Sequence, residues 1–144
     1  MNNLFDIRGK VALVTCGSRG IGEMIAAGFL ANGVKVYISS RKAEVCNATA
    51  ARLMEQFGGE CISLPANLAE VTGCQQLADE LAARESQLDI LINNAGVSWG
   101  APIDDFPESG WDKVMDTNVK GVFFLTQKLL PLLRQSGSAE DPAR

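Results

Sequence analysis

The chain of 144 residues contains no histidine, and this absence excludes a histidine base and a histidine-bound zinc ion. Its four cysteines, Cys16, Cys46, Cys61 and Cys74, do not form a C-x-x-C pair. That spacing favours free thiols in a reducing cytosol over disulfides or a metal centre. We therefore expect no metal site in this chain.

Long apolar runs and an excess of basic residues are missing as well. No stretch approaches the length of a membrane span, and the N-terminus lacks the apolar core of a signal peptide. The 13 Lys and Arg residues against 17 Asp and Glu give a net charge of −4, which argues against nucleic acid as a partner. We expect a cytoplasmic protein of one domain that binds neither membranes nor nucleic acid.

Apolar runs alternate with amphipathic stretches along the whole chain. The runs predict buried strands at residues 10–15, 34–39, 61–65 and 88–93. The amphipathic stretches predict helices at residues 20–31, 43–57, 72–86 and 108–134. Right-handed crossovers would give the strand order 3-2-1-4. The pattern predicts an α/β fold, a Rossmann-like doubly wound parallel sheet that stops after the fourth strand and its following helix.

Residues 15–22, T-C-G-S-R-G-I-G, join the first predicted strand to the first predicted helix. Glycine lets the backbone approach a pyrophosphate, and the free N–H groups at a helix start attract anions. The glycines are spaced G-x-x-G-x-G, unlike the common G-x-G-x-x-G fingerprint. This turn predicts a dinucleotide site that contains Cys16, Gly17, Ser18, Arg19, Gly20, Ile21 and Gly22.

Two further motifs follow the glycine turn, D-I-L-I-N-N-A-G at residues 89–96 and N-V-K-G at residues 118–121. Together the three resemble the short-chain dehydrogenase/reductase family, whose members carry T-G-x-x-x-G-x-G, N-N-A-G and N-V-x-G in this order. The resemblance covers essentially the whole chain and implies hydride transfer between a nicotinamide cofactor and a carbonyl or alcohol. One departure is Cys16, which stands where the family has glycine. Its side chain would crowd the turn if this position requires a positive φ.

The end of the second predicted strand indicates which nucleotide is bound. Residues 37–42 read Y-I-S-S-R-K, with no acidic residue before Glu44. An acidic residue here typically holds the ribose 2′-hydroxyl of NAD, whereas arginine accommodates the 2′-phosphate of NADP. Ser40 and Arg41, with Arg19 from the turn, therefore predict NADP(H) as the cofactor. The alternative is that Arg41 and Lys42 are solvated charges at the start of a helix.

The family resemblance implies further contacts with the cofactor. Asn67 and Leu68 would bracket the adenine, with Asn67 in place of the aspartate that similar proteins carry. Asn94, Ala95 and Gly96 would end the fourth strand near a ribose. For the asparagine pair a structural role, holding backbone at a sheet edge, is the alternative, and the two roles can coexist.

The family takes its proton donor from a Y-x-x-x-K motif, helped by a serine, on a fifth strand and the helix after it. This chain has a single tyrosine, Tyr37, and Arg41 rather than lysine lies four residues on. We therefore expect residues 1–144 to form one incomplete NADP-binding Rossmann domain that is inactive alone. Asn118 is the one predicted catalytic residue, because the resemblance implies that its backbone helps to bind a water linked to the lysine. The alternative is a polar residue buried near a helix bend and held by its own main chain.

Two other regions permit two interpretations each. Ser98 and Trp99 would line a substrate entrance, or Trp99 would anchor a solvent-facing loop. The long last helix carries more apolar side chains than one sheet face needs, and in similar proteins this helix forms part of a subunit interface. The resemblance implies a homo-oligomer for the full-length protein, although core packing would account for most of that surface.

Within the family, the strings V-T-C-G-S-R-G-I-G and L-D-I-L-I-N-N-A-G are similar to the 3-oxoacyl-[acyl-carrier-protein] reductases. N-N-A-G-V-S-W-G and residues 129–144 resemble the branch linked to rhamnolipid precursor supply. The implied reaction of the full-length enzyme reduces a 3-oxoacyl thioester to a 3-hydroxyacyl thioester. The alternative is a non-catalytic nucleotide-binding or interaction protein. Sugar-nucleotide epimerases fit less well, because they usually space their glycines G-x-x-G-x-x-G.

Overall fold

Four short strands form one parallel sheet in the order β3-β2-β1-β4, within residues 5–144, the part of the chain that the computed structural model describes. The strands are β1 Val11–Thr15, β2 Lys35–Ser39, β3 Cys61–Ser63 and β4 Ile90–Ile92. The predicted order is confirmed. The third strand ends two residues earlier than predicted, although the N–H groups of Leu64 and Ala66 still donate to the carbonyls of Ile38 and Ser40.

Both faces of the sheet are covered by helices, as a doubly wound sheet requires. On one face Ala12, Val14 and Ile38 lie in an apolar cluster with side chains of the first two helices. On the other face Leu13 and Tyr37 pack with side chains that come after β3 and from the last helix. Alternate residues of the same strand therefore enter opposite cores, which is why the strands read as continuous apolar runs.

Six helical segments connect and follow the strands. They are α1 Gly20–Ala31, α2 Ala43–Phe57, α3 Val71–Ala82, α4 Glu108–Met115, a π-helical segment Asp116–Gly121 and α5 Val122–Ser136. A single 3₁₀ turn, Ile103–Asp105, lies in the loop between β4 and α4. The first two helices match the predicted bounds. The predicted final helix is interrupted by the π segment, which contains the whole N-V-K-G motif.

The outer edge of β4 is paired with the end of the chain. The N–H of Arg144 donates to the carbonyl of Asp89 at 2.9 Å, and the N–H of Leu91 donates to the carbonyl of Arg144 at 2.7 Å. Two bonds from neighbouring positions to a single residue are the pattern of a parallel ladder. In the part of the chain that the structure describes, no helix is long and apolar enough to cross a bilayer.

Candidate functional site

A cleft of about 200 Å³, partly open to solvent, lies at the carboxyl ends of the strands. This position is where open α/β sheets bind ligands. The lining residues come from the ends of all four strands and from the segments that follow them. They are Cys16, Ser18, Arg19, Ser40, Arg41, Lys42, Val45, Ala66, Asn67, Leu68, Ala69, Ala95, Gly96, Val97 and Thr117.

Two glycines of the turn after β1 are required by close packing. A Cβ on Gly17 would lie 2.7 Å from Cγ2 of Ile38, and the N–H of Gly17 donates to the carbonyl of Ser39 at 3.2 Å. A Cβ on Gly22 would collide with the carbonyl oxygen of Cys16. These glycines do not line the cleft; they let α1 start close to the sheet, directly after the cleft residues Ser18 and Arg19.

Cys16 adopts a left-handed backbone conformation with φ of 52°. The positive φ on which the crowding was conditional is therefore present, and a non-glycine residue there costs about 1 kcal/mol. The Cys16 side chain borders the cleft instead of crowding the backbone of the turn.

Thr15 joins the end of β1 to the end of β4. Its hydroxyl donates to the carbonyl of Ile92 at 3.1 Å and accepts from the N–H groups of Asn94 and Ala95, each at 2.9 Å. The side-chain amide of Asn94 returns a bond to the carbonyl of Thr15 at 3.1 Å. Asn94 therefore has the structural role that was the alternative for the asparagine pair, while Ala95 and Gly96 face the cleft.

Three cations border the cleft, and no carboxylate lines it. Arg19, Arg41 and Lys42 form no ion pair with any residue between positions 5 and 144. Arg41 and Lys42 directly precede α2, whose start is not capped by a side chain. Because the N-terminal end of a helix dipole is positive, two cations at this position are unfavourable. Ser40 lies beside them, and its buried hydroxyl has no hydrogen-bond partner among the described residues. Unpaired cations and a free hydroxyl together form a site suited to an anion.

The segment after β3, residues 66–69, forms another wall of the cleft. The N–H of Ala66 donates to the carbonyl of Ser40 at 3.1 Å, which holds this wall beside the end of β2. The Asn67 side chain accepts from the N–H of Ala69 at 3.3 Å and donates to the Glu70 carboxylate at 2.9 Å. Asn67 and Leu68 line the cleft as predicted, and the asparagine contributes no charge to it.

Asn118 lies in the π-helical segment and holds the loop after β4. Its side chain accepts from the N–H of Val97 at 2.8 Å and donates to the carbonyl of the same residue at 2.9 Å. The alternative of a buried residue held by its own main chain is wrong, because Asn118 is exposed and bonds across to the loop. Its catalytic role stays a prediction. A π segment frequently marks a functional site, and Val97 and Thr117 beside Asn118 line the cleft.

Trp99 anchors the loop between β4 and α4. Its ring lies directly on Gly110 of α4, where a Cβ would be 2.7 Å from the ring, and the Lys113 ammonium lies 5.3 Å from the ring centre. Neither Ser98 nor Trp99 lines the cleft. The contacts support the anchoring interpretation of Trp99, and the substrate entrance stays a prediction.

The family model for the short chain dehydrogenases matches residues 10–140. The chain belongs to the short-chain dehydrogenase family. The resemblance of its three motifs to this family is therefore confirmed.

Two relatives within the short-chain dehydrogenase family match the full chain or most of it. The rhamnolipids biosynthesis 3-oxoacyl-[acyl-carrier-protein] reductase of Pseudomonas aeruginosa is 52% identical over 144 residues, which are 100% of this chain and 56% of that protein. Gluconate 5-dehydrogenase of Gluconobacter oxydans is 40% identical over 130 residues, 87% of this chain and 48% of the enzyme. The chain thus spans about half the length of these relatives.

Solved structures of short-chain dehydrogenases show the same fold. The active-site complex of Pseudomonas aeruginosa RhlG with NADP matches with a TM-score of 0.93 at 52% identity, over 100% of this chain and 56% of that one. L-sorbose reductase from Gluconobacter frateurii, complexed with NADPH and L-sorbose, matches with a TM-score of 0.87 at 29% identity. The match covers 91% of this chain and 50% of that one. The predicted Rossmann-like fold is confirmed.

Most of the residues predicted to contact a cofactor line the cleft of this short-chain dehydrogenase. Five predicted residues do not, namely Gly17, Gly20, Ile21, Gly22 and Asn94. The Ile21 side chain lies on the solvent side of α1 and is 66% exposed. Sequence reasoning missed six lining residues: Lys42, Val45, Ala66, Ala69, Val97 and Thr117. Four of these directly adjoin a predicted contact, which was the available signal. Thr117 directly precedes Asn118 in the π segment, and Val45 lies in α2, which carries no motif.

Tyr37, the single tyrosine, does not line the cleft and is not placed to act as a proton donor there. It is buried in the core, and its hydroxyl donates to the Glu85 carboxylate at 2.6 Å. Burial, with the hydrogen bond to Glu85, raises the pKa of Tyr37 to about 12. The cleft itself is lined by no tyrosine.

Proposed function

We propose that the cleft binds NADP(H) and that the chain is the cofactor-binding part of a short-chain reductase. The observation that carries this proposal is the group of three unpaired cations, Arg19, Arg41 and Lys42, in a cleft without a carboxylate. A 2′-phosphate supplies the anion that these charges favour, whereas the bare ribose of NAD offers none. The NADP complex of the 52% identical Pseudomonas aeruginosa protein supports the same cofactor.

The residues present fit the parts of this cofactor. Ser40 has a free hydroxyl beside Arg41, and the two would hold the 2′-phosphate with Arg19. The N–H groups at the start of α1 would face the pyrophosphate. When bound, the nicotinamide supplies a hydride, and residues 95–97 at the end of β4 would hold its half of the molecule.

The proposed substrate of the longer protein is a 3-oxoacyl thioester, reduced to a 3-hydroxyacyl thioester. Support comes from the curated relative at 52% identity, which is a 3-oxoacyl-[acyl-carrier-protein] reductase. We further propose a cytoplasmic homo-oligomer. An exposed apolar stripe along α4, the π segment and α5 supports association with a second copy; its members are Trp111, Met115, Val119 and Phe123.

Replacing Arg41 by alanine tests the cofactor. We expect Arg41→Ala to weaken NADPH binding about tenfold or more, since a charge-assisted bond to phosphate contributes roughly 1.5–3 kcal/mol. NADH binding should change by less than about twofold, because NADH lacks the 2′-phosphate. Calorimetric titration of the chain with both nucleotides measures the difference.

The matched control is Arg84→Ala. The Arg84 guanidinium is exposed and bonds to the carbonyl of Glu80, away from the cleft, so neither titration should change. Equal weakening of NADPH and NADH by Arg41→Ala would remove Arg41 from the 2′-phosphate role.

Residues 1–144 alone should bind NADPH without oxidising it. No tyrosine lines the cleft, so nothing there matches the family's proton donor for a reduced carbonyl. Incubation with NADPH and an acetoacetyl thioester, followed by nicotinamide absorbance, measures turnover, and steady oxidation of NADPH would contradict the expectation.

The same missing tyrosine favours a second candidate, a non-catalytic nucleotide-binding protein. Reading the coding sequence beyond codon 144 separates the two: an in-frame serine and Y-x-x-x-K motif support the reductase, and a stop codon supports the second candidate.

A further inference from the structure

Two glycines from different helices press on the back of the wall formed by residues 66–69. A Cβ on Gly73 of α3 would collide with the carbonyl oxygen of Asn67 and lie 2.8 Å from its carbon. A Cβ on Gly121, the last residue of the π segment, would collide with the carbonyl oxygen of Leu68. A larger residue at Gly73 must move the carbonyl group of Asn67, and a larger residue at Gly121 must move the next carbonyl group, that of Leu68.

Cys74 lies between these two contacts. Its sulfur is 3.7 Å from the carbonyl oxygens of both Leu68 and Gly121, and the side chain is fully buried. The thiol therefore occupies the space where α3, the π segment and the wall meet. On its other side the same stretch of chain presents Asn67 and Leu68 to the cleft.

The order of the strands indicates which part of the nucleotide meets this wall. Ser40 and Arg41 follow β2 and would hold the 2′-phosphate, and the base is attached to the same ribose. Because β3 lies beyond β2 on the side away from β1 and β4, the segment after β3 is next to that ribose and far from the nicotinamide end. This wall offers a planar base the apolar side chains of Leu68 and Ala69 beside the Asn67 amide.

We propose that Gly73, Gly121 and Cys74 are positioning residues that set the wall against which the adenine of NADP(H) packs. The last glycine of the N-V-K-G motif then acts on the adenosine half of the cofactor, through Leu68, and not at the reacting end. This inference rests on the proposed binding of NADP(H) in the cleft. A methyl group at Gly121 must displace Leu68 by roughly 1 Å, and displacements of this size strongly reduce the fit of a bound ligand.

The test titrates the chain with adenosine 2′,5′-bisphosphate, which carries the base, and with inorganic pyrophosphate, which does not. We expect Gly121→Ala and Gly73→Ala to weaken binding of the bisphosphate about tenfold or more. Binding of pyrophosphate should change by less than about twofold, because the glycine turn and the cations are untouched. Gly28→Ala is the matched control, since a Cβ on that helical glycine meets nothing within 4 Å.

Cys74→Ala supplies a second variant that adds no volume and decides the test if the glycine variants do not fold, which circular dichroism reports. It removes the thiol from the two carbonyl contacts, and we expect about threefold weaker binding of the bisphosphate with pyrophosphate unchanged. Equal losses for both ligands, or unchanged bisphosphate affinity in all folded variants, would overturn the positioning role. Failure of the unaltered chain to bind the bisphosphate would instead remove the proposed function, and this inference with it.

Discussion

Gly22→Ala is expected to lower the free energy of unfolding by about 3 kcal/mol and to abolish measurable binding of NADPH. The added Cβ would collide with the carbonyl oxygen of Cys16 and lie 2.7 Å from the side-chain nitrogen of Asn94. Both contacts are fixed at strand ends, so relief requires α1 to move away from the sheet. That movement also displaces Ser18 and Arg19, the cleft residues directly before α1. Urea unfolding and titration with NADPH measure the two effects.

The control for this variant lies in the same helix. Gly28 also belongs to α1, but a Cβ there meets nothing within 4 Å. Gly28→Ala should therefore raise stability, by up to about 1 kcal/mol from helix propensity, and leave NADPH binding unchanged. A comparable loss of stability in both variants would show that the close approach to Cys16 does not decide the effect.

The order of the sheet was predictable because each strand is buried on both faces. Such strands read as apolar runs, and right-handed crossovers between them leave few topologies to choose from. The lining residues at strand ends were predictable for the same reason, since the carboxyl ends of parallel strands meet at one edge. Ser40 follows β2 directly, Arg19 and Asn67 lie in the short segments that follow β1 and β3, and all three line the cleft.

Contacts between distant segments were not predictable from the sequence. Asn118 bonds to the backbone of Val97, and Gly121 packs on the carbonyl of Leu68. Neither partner is encoded in local periodicity, because main-chain groups of every residue type offer the same donor and acceptor. The π segment was not predicted either, because widening one helical turn barely changes the apolar pattern on either side of it.

Thr15→Val is expected to lower the free energy of unfolding by about 2 kcal/mol or more and to weaken NADPH binding. Valine has nearly the shape of threonine but cannot accept the N–H groups of Asn94 and Ala95 or donate to the carbonyl of Ile92. Thr15 is only 1% exposed, so water cannot replace the hydroxyl there. Since Ala95 lines the cleft, releasing it from β1 loosens that end of the site. Urea unfolding and titration with NADPH measure both effects.

Thr15→Ser separates the hydroxyl from the methyl group. Serine keeps all three hydrogen bonds and loses one buried methyl, so stability should fall by only about 1 kcal/mol and NADPH affinity should stay within about twofold. If serine and valine reduced NADPH affinity equally, the methyl packing and not the hydroxyl would hold β1 to β4. If the expected difference is found, the hydroxyl oxygen of Thr15 holds the end of β4 in place. Because Ala95 and Gly96 follow that end and line the cleft, the same oxygen also maintains the shape of the cofactor cleft.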